Sequence, residues 1–341
     1  MIMKKMIPAS IVCLTLLASC NKQESVPQPL ERGEKAVLNV SISGGAQSKA
    51  IVFDENKVNS LQVFVFNGNM LDVYGSVNSA MNLTLNATVG DRTVYALVNA
   101  PDLSSISELD GLKAAISQLS DNAPNSFVMV GSDTPTLAQN SNITIVVNRL
   151  AARIRVQKVT RNLSSPGLAS LEASSFKLVR IYAADAVVKN NYSLTLAPPY
   201  SWKNSTLGGS TIDASDELLL RKPSSLATIA QNASYTEDLC VYVYPNLTEE
   251  DSDSAHCTRL VVECLIDRKF YTYPVSIPKI QANRSYDIKE LVLTRLGNQS
   301  NGDDTIDSGE TEVIESFEIP FGIGIQDWTT VLLGDEGTVT I

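Results

Sequence analysis

Histidine is nearly absent from this sequence: His256 is the only one in 341 residues. Metal sites built from several histidines are therefore excluded, and little remains for acid–base or triad chemistry that depends on histidine. Basic clusters are missing as well, because 27 Lys and Arg stand against 37 Asp and Glu, a net charge of −10. We therefore expect no nucleic-acid partner. Phosphate-loop and nucleophile-elbow patterns are also absent, so the sequence predicts neither an enzyme nor a cofactor.

The overall composition is that of a folded protein. Apolar residues make up 44% and charged residues 19% of the chain, which is close to ordinary globular usage. The length exceeds the roughly 100–200 residues of one typical domain. We therefore expect two domains.

The first twenty residues have the pattern of an export signal. Lys4 and Lys5 precede a short apolar run at 7–17, which is too short to span a bilayer stably. The following Leu-Ala-Ser-Cys at 17–20 resembles the lipobox of bacterial lipoproteins. This resemblance implies a signal peptide at residues 1–19, lipidation of Cys20 and a precursor held in the outer membrane. An ordinary signal peptide with a chance cysteine is the alternative.

Three cysteines remain in the body of the chain, Cys240, Cys257 and Cys264. An exported protein can form disulfides. Cys240 and Cys264 lie on two predicted strands and could face each other, but sequence alone does not establish the bridging distance. Buried free thiols are the equal alternative.

Most of the body alternates apolar and polar residues with a period of two, which is typical of β-strands. In 59–66, Leu61, Val63 and Val65 share one face, Phe64 and Phe66 share the other, and Asn67-Gly68 predicts a hairpin turn. Further strands are predicted at 83–89, 92–98, 127–130, 143–147, 153–159, 176–183, 239–244, 259–266, 271–277 and 286–293. Many short strands predict an all-β protein built from sandwiches.

One helix interrupts the strands. Apolar residues recur at helical spacing over 104–120, and Ser105 with Glu108 could form a capping box. We place a domain boundary near Arg149, where a new series of strands begins. The predicted domains are residues 50–149 and 150–341, after a tether and first strand at 20–49.

Two polar regions contain residue types that could support chemistry. His256 and Cys257 are adjacent in a polar loop, but a hydrolase would also need an orienting group. Asp303, Asp307 and Glu312 offer oxygen ligands for calcium, although their spacing departs from the EF-hand pattern. A solvated loop is the stronger interpretation of the acidic segments.

Several landmarks together resemble the fimbrillins of Bacteroidales, the subunits of type V pili. They are the lipobox, the first strand at 36–42, a basic residue before Ala50, the segments 56–68 and 90–99, the junction 149–156, the segment 283–289, and a terminal strand after Trp328. The resemblance spans nearly the whole chain. It rests on the order and spacing of these landmarks and not on any single motif.

This resemblance implies two transthyretin-like β-sandwich domains in tandem and a function in assembly. Family members are exported as lipoproteins, and a protease then removes the lipidated segment with its first strand. Here the scissile bond would join Lys49 to Ala50. The well-known stalk members are cut after arginine, whereas Arg32 of this chain precedes the first strand.

Loss of the first strand would leave a groove that a C-terminal strand of the next subunit can fill by strand addition. The candidate donor residues are Val331, Leu332, Leu333, Val339 and Ile341. The alternative is that this tail is simply the last strand of the second domain. A tip subunit would lack a usable donor tail, so the presence of this tail argues against that role. Stalk and anchor roles both stay open. They differ in that an anchor subunit would keep its lipid and remain uncut.

The expected partners are other fimbrial subunits, the outer membrane through the lipid, and the processing protease. The mature protein would lie in surface fimbriae and support adhesion and biofilm formation. The rival hypothesis is a surface lipoprotein that does not polymerise and binds glycans through Trp202 and Tyr200. The chain has only two tryptophans, so few side chains are suited to stacking against a sugar ring.

Overall fold

The computed structural model describes residues 33–43, 54–193, 201–206, 210–213, 216–223, 225–248, 256–312, 329–332 and 338–340. From Glu34 onward the chain forms one compact unit. The signal peptide, Cys20, Lys49 and Ala50 lie outside the described residues.

The strands of the first half are short and mostly antiparallel. They are β1 (Lys35–Ser43), β2 (Ser60–Asn67), β3 (Met70–Asn78), β4 (Asn82–Thr88), β5 (Gly90–Asp91), β6 (Thr93–Val98), β7 (Ile116–Gln118), β8 (Met129–Asp133), β9 (Thr136–Leu137), β10 (Asn140–Val146) and β11 (Asn148–Arg149). Short helices occur at α1 (Leu109–Ala114) and as a 3₁₀ turn at Leu119–Asp121.

The second half continues in the same manner. Its strands are β12 (Ala152–Val156), β13 (Val159–Arg161), β14 (Phe176–Ala184), β15 (Ala186–Val187), β16 (Lys189–Asn191), β17 (Trp202–Lys203), β18 (Ser210–Thr211), β19 (Leu220–Arg221), β20 (Ala227–Thr228), β21 (Ser234–Tyr235), β22 (Leu239–Val243), β23 (Arg259–Ile266), β24 (Lys269–Ser276), β25 (Arg284–Ile288), β26 (Glu290–Leu293), β27 (Asn298–Ser300), β28 (Thr305–Ile306), β29 (Thr329–Leu332) and β30 (Thr338–Thr340). Helix α2 (Pro166–Ala169) and a 3₁₀ turn at Ala173–Ser175 complete it.

Two sheets of the first half enclose an aliphatic core. The three-stranded sheet has the order β10-β1-β4, and the five-stranded sheet has the order β11-β8-β6-β2-β3. Both faces of β2 are buried, because Leu61, Val63 and Val65 enter this core while Phe64 and Phe66 enter a second one. The predicted alternation in this strand is confirmed.

The second core is the larger one and is shared by both halves. Phe64, Phe66 and Phe127 of the first half pack there with aliphatic and tyrosine side chains of the second half. The larger sheets of the second half have the orders β22-β12-β25-β29, β21-β13-β26-β30 and β19-β14-β23-β24-β27. Among the described strands, only the β7–β16 ladder joins the halves. The all-β prediction is confirmed, and the division into two tandem domains stays a prediction.

The predicted helix at 104–120 is wrong in extent. Only the six residues of α1 are α-helical, and Glu108 at its N-cap makes no side-chain capping bond. Ala115 turns extended, and β7 then pairs with β16, some seventy residues away. Local periodicity does not reveal such a ladder. The ladder satisfies backbone N–H and C=O groups that a longer helix would otherwise have satisfied. No helix in the described part has the length and hydropathy to cross a bilayer.

The approach of β8 to β10 depends on a missing side chain. A Cβ atom on Gly131 would overlap the carbonyl of Val146 and the side chain of Ile145. We predict that Gly131→Ala lowers the free energy of unfolding by about 1–3 kcal/mol, as overpacking does. The matched control is Gly167→Ala, since nothing lies within 4 Å of its added Cβ. Denaturant unfolding checks this, and equal stability of the two variants would contradict it.

Candidate functional site: the groove that holds the first strand

Strand β1 is the middle strand of its sheet. It runs parallel to β10 and antiparallel to β4, with Val40 opposite Ile143 on one side and Leu83 on the other. The main-chain ladders are continued at the strand ends, where the amide of Val37 donates to the carbonyl of Gln139 at 2.7 Å. Both edges of β1 are therefore hydrogen-bonded.

The side chains of β1 alternate strictly between core and surface. Ala36, Leu38, Val40 and Ile42 are at most 5% exposed and belong to the aliphatic core, whereas Val37 is 38% exposed. Burying each of the three larger side chains contributes ~1.5–3 kcal/mol. The groove between β4 and β10 thus has a small position at Ala36 followed by three larger apolar positions.

The outer face of β1 is polar and uncharged at its centre. The side-chain amide of Asn39 donates to Asn142 Oδ1 on β10 at 2.9 Å, and the hydroxyl of Thr84 on β4 donates to Asn39 Oδ1 at 2.7 Å. Asn39 therefore links the two groove walls from outside. Without β1, these walls would present unpaired main-chain groups beside exposed apolar side chains.

A buried charge cluster includes Glu55, close to the first residue that the structure describes after β1. Glu55 accepts hydrogen bonds from Arg153 Nη1 at 2.8 Å and from the hydroxyl of Tyr242 at 2.6 Å. The Glu55 carbonyl also accepts from Arg149 Nε at 3.1 Å. Burial raises the pKa of Tyr242 well above its ordinary value, so this hydroxyl stays a donor. The cluster joins the start of the body to the second half.

The C-terminal tail occupies sheet edges in the second half. Strand β29 runs parallel to β25, with Leu332 opposite Asp287, and β30 runs parallel to β26, with Val339 opposite Leu291. Among the strands that the structure describes, each is the last one of its sheet. Of the predicted donor residues, Val331, Leu332 and Val339 lie in these strands, while Leu333 and Ile341 are outside the described residues. Within one chain, the described parts of the tail pair with β25 and β26 and not with β4 or β10.

The three body cysteines are buried, and Cys240 and Cys264 are free thiols. Burial raises the pKa of Cys240 to about 12 and that of Cys264 further still, so both are inert thiols at neutral pH. His256 Nδ1 lies 2.9 Å from the buried carboxylate of Asp185, and the His256 ring stacks on Trp202 with centroids 4.6 Å apart. One face of Trp202 is thus covered by the protein itself.

The acidic loop after β27 uses its carboxylates internally. Asp303 accepts from the amide of Thr305 at 2.8 Å, and Asp304 pairs with the buried Arg180. The buried Glu310 accepts from the amides of Asn301 and Asp307, both at 3.0 Å. Among the described residues, no three His, Cys, Asp or Glu side chains are grouped to hold a metal ion.

Sequence patterns identified the groove strand and the tail but missed the charge cluster. Arg149 and Arg153 belong to the junction segment, and no local pattern marks Glu55. Two arginines within an otherwise apolar stretch, Arg-Leu-Ala-Ala-Arg-Ile at 149–154, were the available signal, because buried arginines require partners.

Comparison with known proteins agrees with this geometry. Residues 36–162 match the family model described as Major fimbrial subunit protein (FimA), which begins within β1 and covers both walls of its groove. This match, which covers somewhat over a third of the chain, confirms the resemblance to fimbrillins, and the matched family is one of fimbrial structural subunits. No curated protein matches the chain in sequence.

Solved structures share the fold across most of the chain. A proposed cell adhesion protein from Bacteroides eggerthii is 18% identical, with a TM-score of 0.60 over 89% of this chain and 98% of its own. A fimbrilin (FimA) from Porphyromonas gingivalis is 16% identical, with a TM-score of 0.54 over 79% and 95%. A proposed cell adhesion protein from Parabacteroides distasonis is 17% identical, with a TM-score of 0.52 over 80% and 97%.

The groove makes a direct prediction about the uncut protein. Leu38→Ala should lower the free energy of unfolding by about 2–5 kcal/mol, because it leaves a cavity in a closed core. Asn39→Ala removes only exposed side-chain hydrogen bonds and should cost below about 1 kcal/mol. Denaturant unfolding of both variants measures the difference. Equal losses would mean that β1 does not occupy the groove with this alternation.

Proposed function

We propose that this fimbrial subunit is exported as a lipoprotein anchored through Cys20, is activated by cleavage between Lys49 and Ala50, and polymerises by donor-strand exchange. The polymer would be the stalk of a surface fimbria that supports adhesion and biofilm formation. The observation that carries this proposal is the position of β1 in the middle of a sheet, at the very start of the compact unit.

Cleavage changes how β1 is held. In the uncut chain, residues 44–53 tie β1 covalently to the body, so a strand that detaches rebinds at once. After a cut at Lys49, the hydrogen bonds to β4 and β10 and the apolar contacts alone retain it. A competing strand can then replace it, because strand addition offers the same ladders and pockets.

The tail is the part of the chain best placed to act as the donor. The tail is paired on one side only, in strands of four and three residues. Its release would therefore leave no gap between two strands of a sheet. A groove in one half and a donor at the C-terminus give a head-to-tail contact that does not close on itself. Such contacts generate filaments.

Limited trypsin digestion of the chain that begins after Cys20 tests this proposal. We predict a new N-terminus at Ala50 by mass spectrometry, followed by oligomer ladders on native gels. Lys49→Gln should abolish both, and deletion of residues 329–341 should abolish the ladders alone. The matched control is Lys57→Gln, an exposed lysine of the body, which should change neither.

Other outcomes would contradict the stalk role. If the bond after Lys49 resists cleavage and the full lipoprotein stays monomeric and membrane-bound, the chain acts as an anchor subunit or as a glycan-binding lipoprotein. Saturable glycan binding by the monomer would then separate these two.

A further inference from the structure

A cleft of about 510 Å³ opens beside β14 in the second half of the protein, apart from the β1 groove. Strand β19 pairs with β14 at residues 181–182, and β20 pairs with it at residues 177–178. Val179 and Arg180 lie between these two ladders and line the cleft, together with residues of the connection from β19 to β20. The cleft thus occupies an interruption in the edge of the sheet.

Part of the lining is apolar. Val179, Leu265 and Phe270 come from the adjacent strands β14, β23 and β24, and all three are partly exposed. Leu226 also lines the cleft and is 53% exposed. Removing exposed hydrocarbon from water is favourable, so this apolar wall suits the aliphatic part of a ligand.

The cleft also contains a buried carboxylate with an unused acceptor. Glu263 is 2% exposed, and its Oε1 accepts from the hydroxyl of Ser300 at 3.1 Å. Its Oε2 lies 2.7 Å from Arg180 Nε, but the two atoms are not aligned as a hydrogen bond, and Oε2 has no hydrogen-bond partner among the described residues. Oε2 therefore keeps the capacity to accept from a ligand.

The charge of Glu263 is only partly compensated. Arg180 is shared, because it also donates to the Asp304 carboxylate and to the Asp303 carbonyl. Burial raises the pKa of Glu263; Arg180 opposes this rise, and the charge of Glu310 adds to it. At the mouth of the cleft, the exposed Lys222 is offset by the exposed carboxylate of Asp303. The polar part of the cleft is therefore net negative.

We propose that this cleft binds a lysine or arginine side chain presented by a peptide segment of a partner protein, with the cationic end at Glu263 and the aliphatic stem along the apolar wall. Long basic side chains combine such a stem with a charged end. The cleft is larger than one side chain, so it has room for the residues that flank it. This binding site is additional to the proposed strand exchange and does not depend on it.

Other classes of ligand fit the cleft less well. A purely apolar ligand would cover Glu263 Oε2 without giving it a donor, which is costly for a buried charge. An acidic peptide would bring like charge to a region that is already net negative. The whole chain carries a net charge of −10, so it also attracts a basic partner at longer range.

Capped tripeptides test the assignment on the uncut chain that begins after Cys20. Acetyl-Ala-Lys-Ala-amide should produce saturable shifts of the Val179, Leu226 and Leu265 methyl signals in NMR titrations. The same peptide with norleucine keeps the stem and lacks the ammonium group, so it should bind at least about tenfold more weakly. The same peptide with glutamate should produce no saturable shift.

Matched variants locate the binding site. Glu263→Gln keeps the side-chain volume, removes the charge and should weaken binding of the lysine peptide at least about tenfold, whereas the exposed Glu172→Gln should leave it unchanged. Circular dichroism controls for folding. Leu226→Ser changes only an exposed wall residue and should weaken binding severalfold, whereas Leu247→Ser, at a similarly exposed leucine outside the cleft, should not. This leucine pair keeps the test valid if Glu263→Gln does not fold.

Several results would overturn the proposal. Equal binding of the lysine and norleucine peptides would show that the cleft does not recognise the cation. Equal binding of n-butylamine and the lysine peptide would show that it does not recognise a peptide. Loss of binding in neither Glu263→Gln nor Leu226→Ser would place the binding elsewhere. None of these results bears on strand exchange, because the uncut chain is used throughout.

Discussion

Main-chain hydrogen bonds on both sides of β1 hold the first half of this protein together. A middle strand satisfies the donors and acceptors of two neighbours at once, so its loss exposes twice the polar backbone that loss of an edge strand would. Val40 illustrates the arrangement, since it is paired across to both Ile143 and Leu83 while its side chain fills the core. The groove is therefore stable only when a strand occupies it, and under the proposed function a strand of another copy competes with β1 for that place.

The two ends of the chain differ in how many neighbouring strands hold them, since β1 has two and each described tail strand has one. β1 lies in the middle of its sheet. Cutting its covalent connection to the body, through residues 44–53, would weaken its retention. Among the described strands, the tail strands β29 and β30 lie at sheet edges, each paired with a single neighbour. Between the ends, the buried Glu55–Arg153 pair fixes the start of the body to the second half. Breaking such a pair typically costs 3–5 kcal/mol, so the body is expected to persist in the strand exchange that we propose.

Much of the fold was predictable because the strands obey local alternation. The faces of β2 and the burial of Leu38 and Val40 follow from period two alone. The shortened helix α1 was not predictable, because β7 pairs with β16 far along the chain. The Glu55 cluster was also missed, since its members come from distant segments and only the fold brings them together. Of the site, sequence identified the groove strand and the tail, whereas the parallel pairing of β1 with β10 and of β29 with β25 required coordinates.

Hydrogen exchange measured by mass spectrometry on the uncut, cut and assembled protein tests the central claim most directly. The amides of β4 and β10 should be protected in the uncut chain, become exposed once the cut β1 fragment is removed from the monomer, and regain protection on assembly. The amides of β23 and β24 should stay protected throughout, since their ladder lies outside the groove. Unchanged protection of β4 and β10 after removal of β1 would contradict the account, because their pairing would then not depend on a strand in the groove.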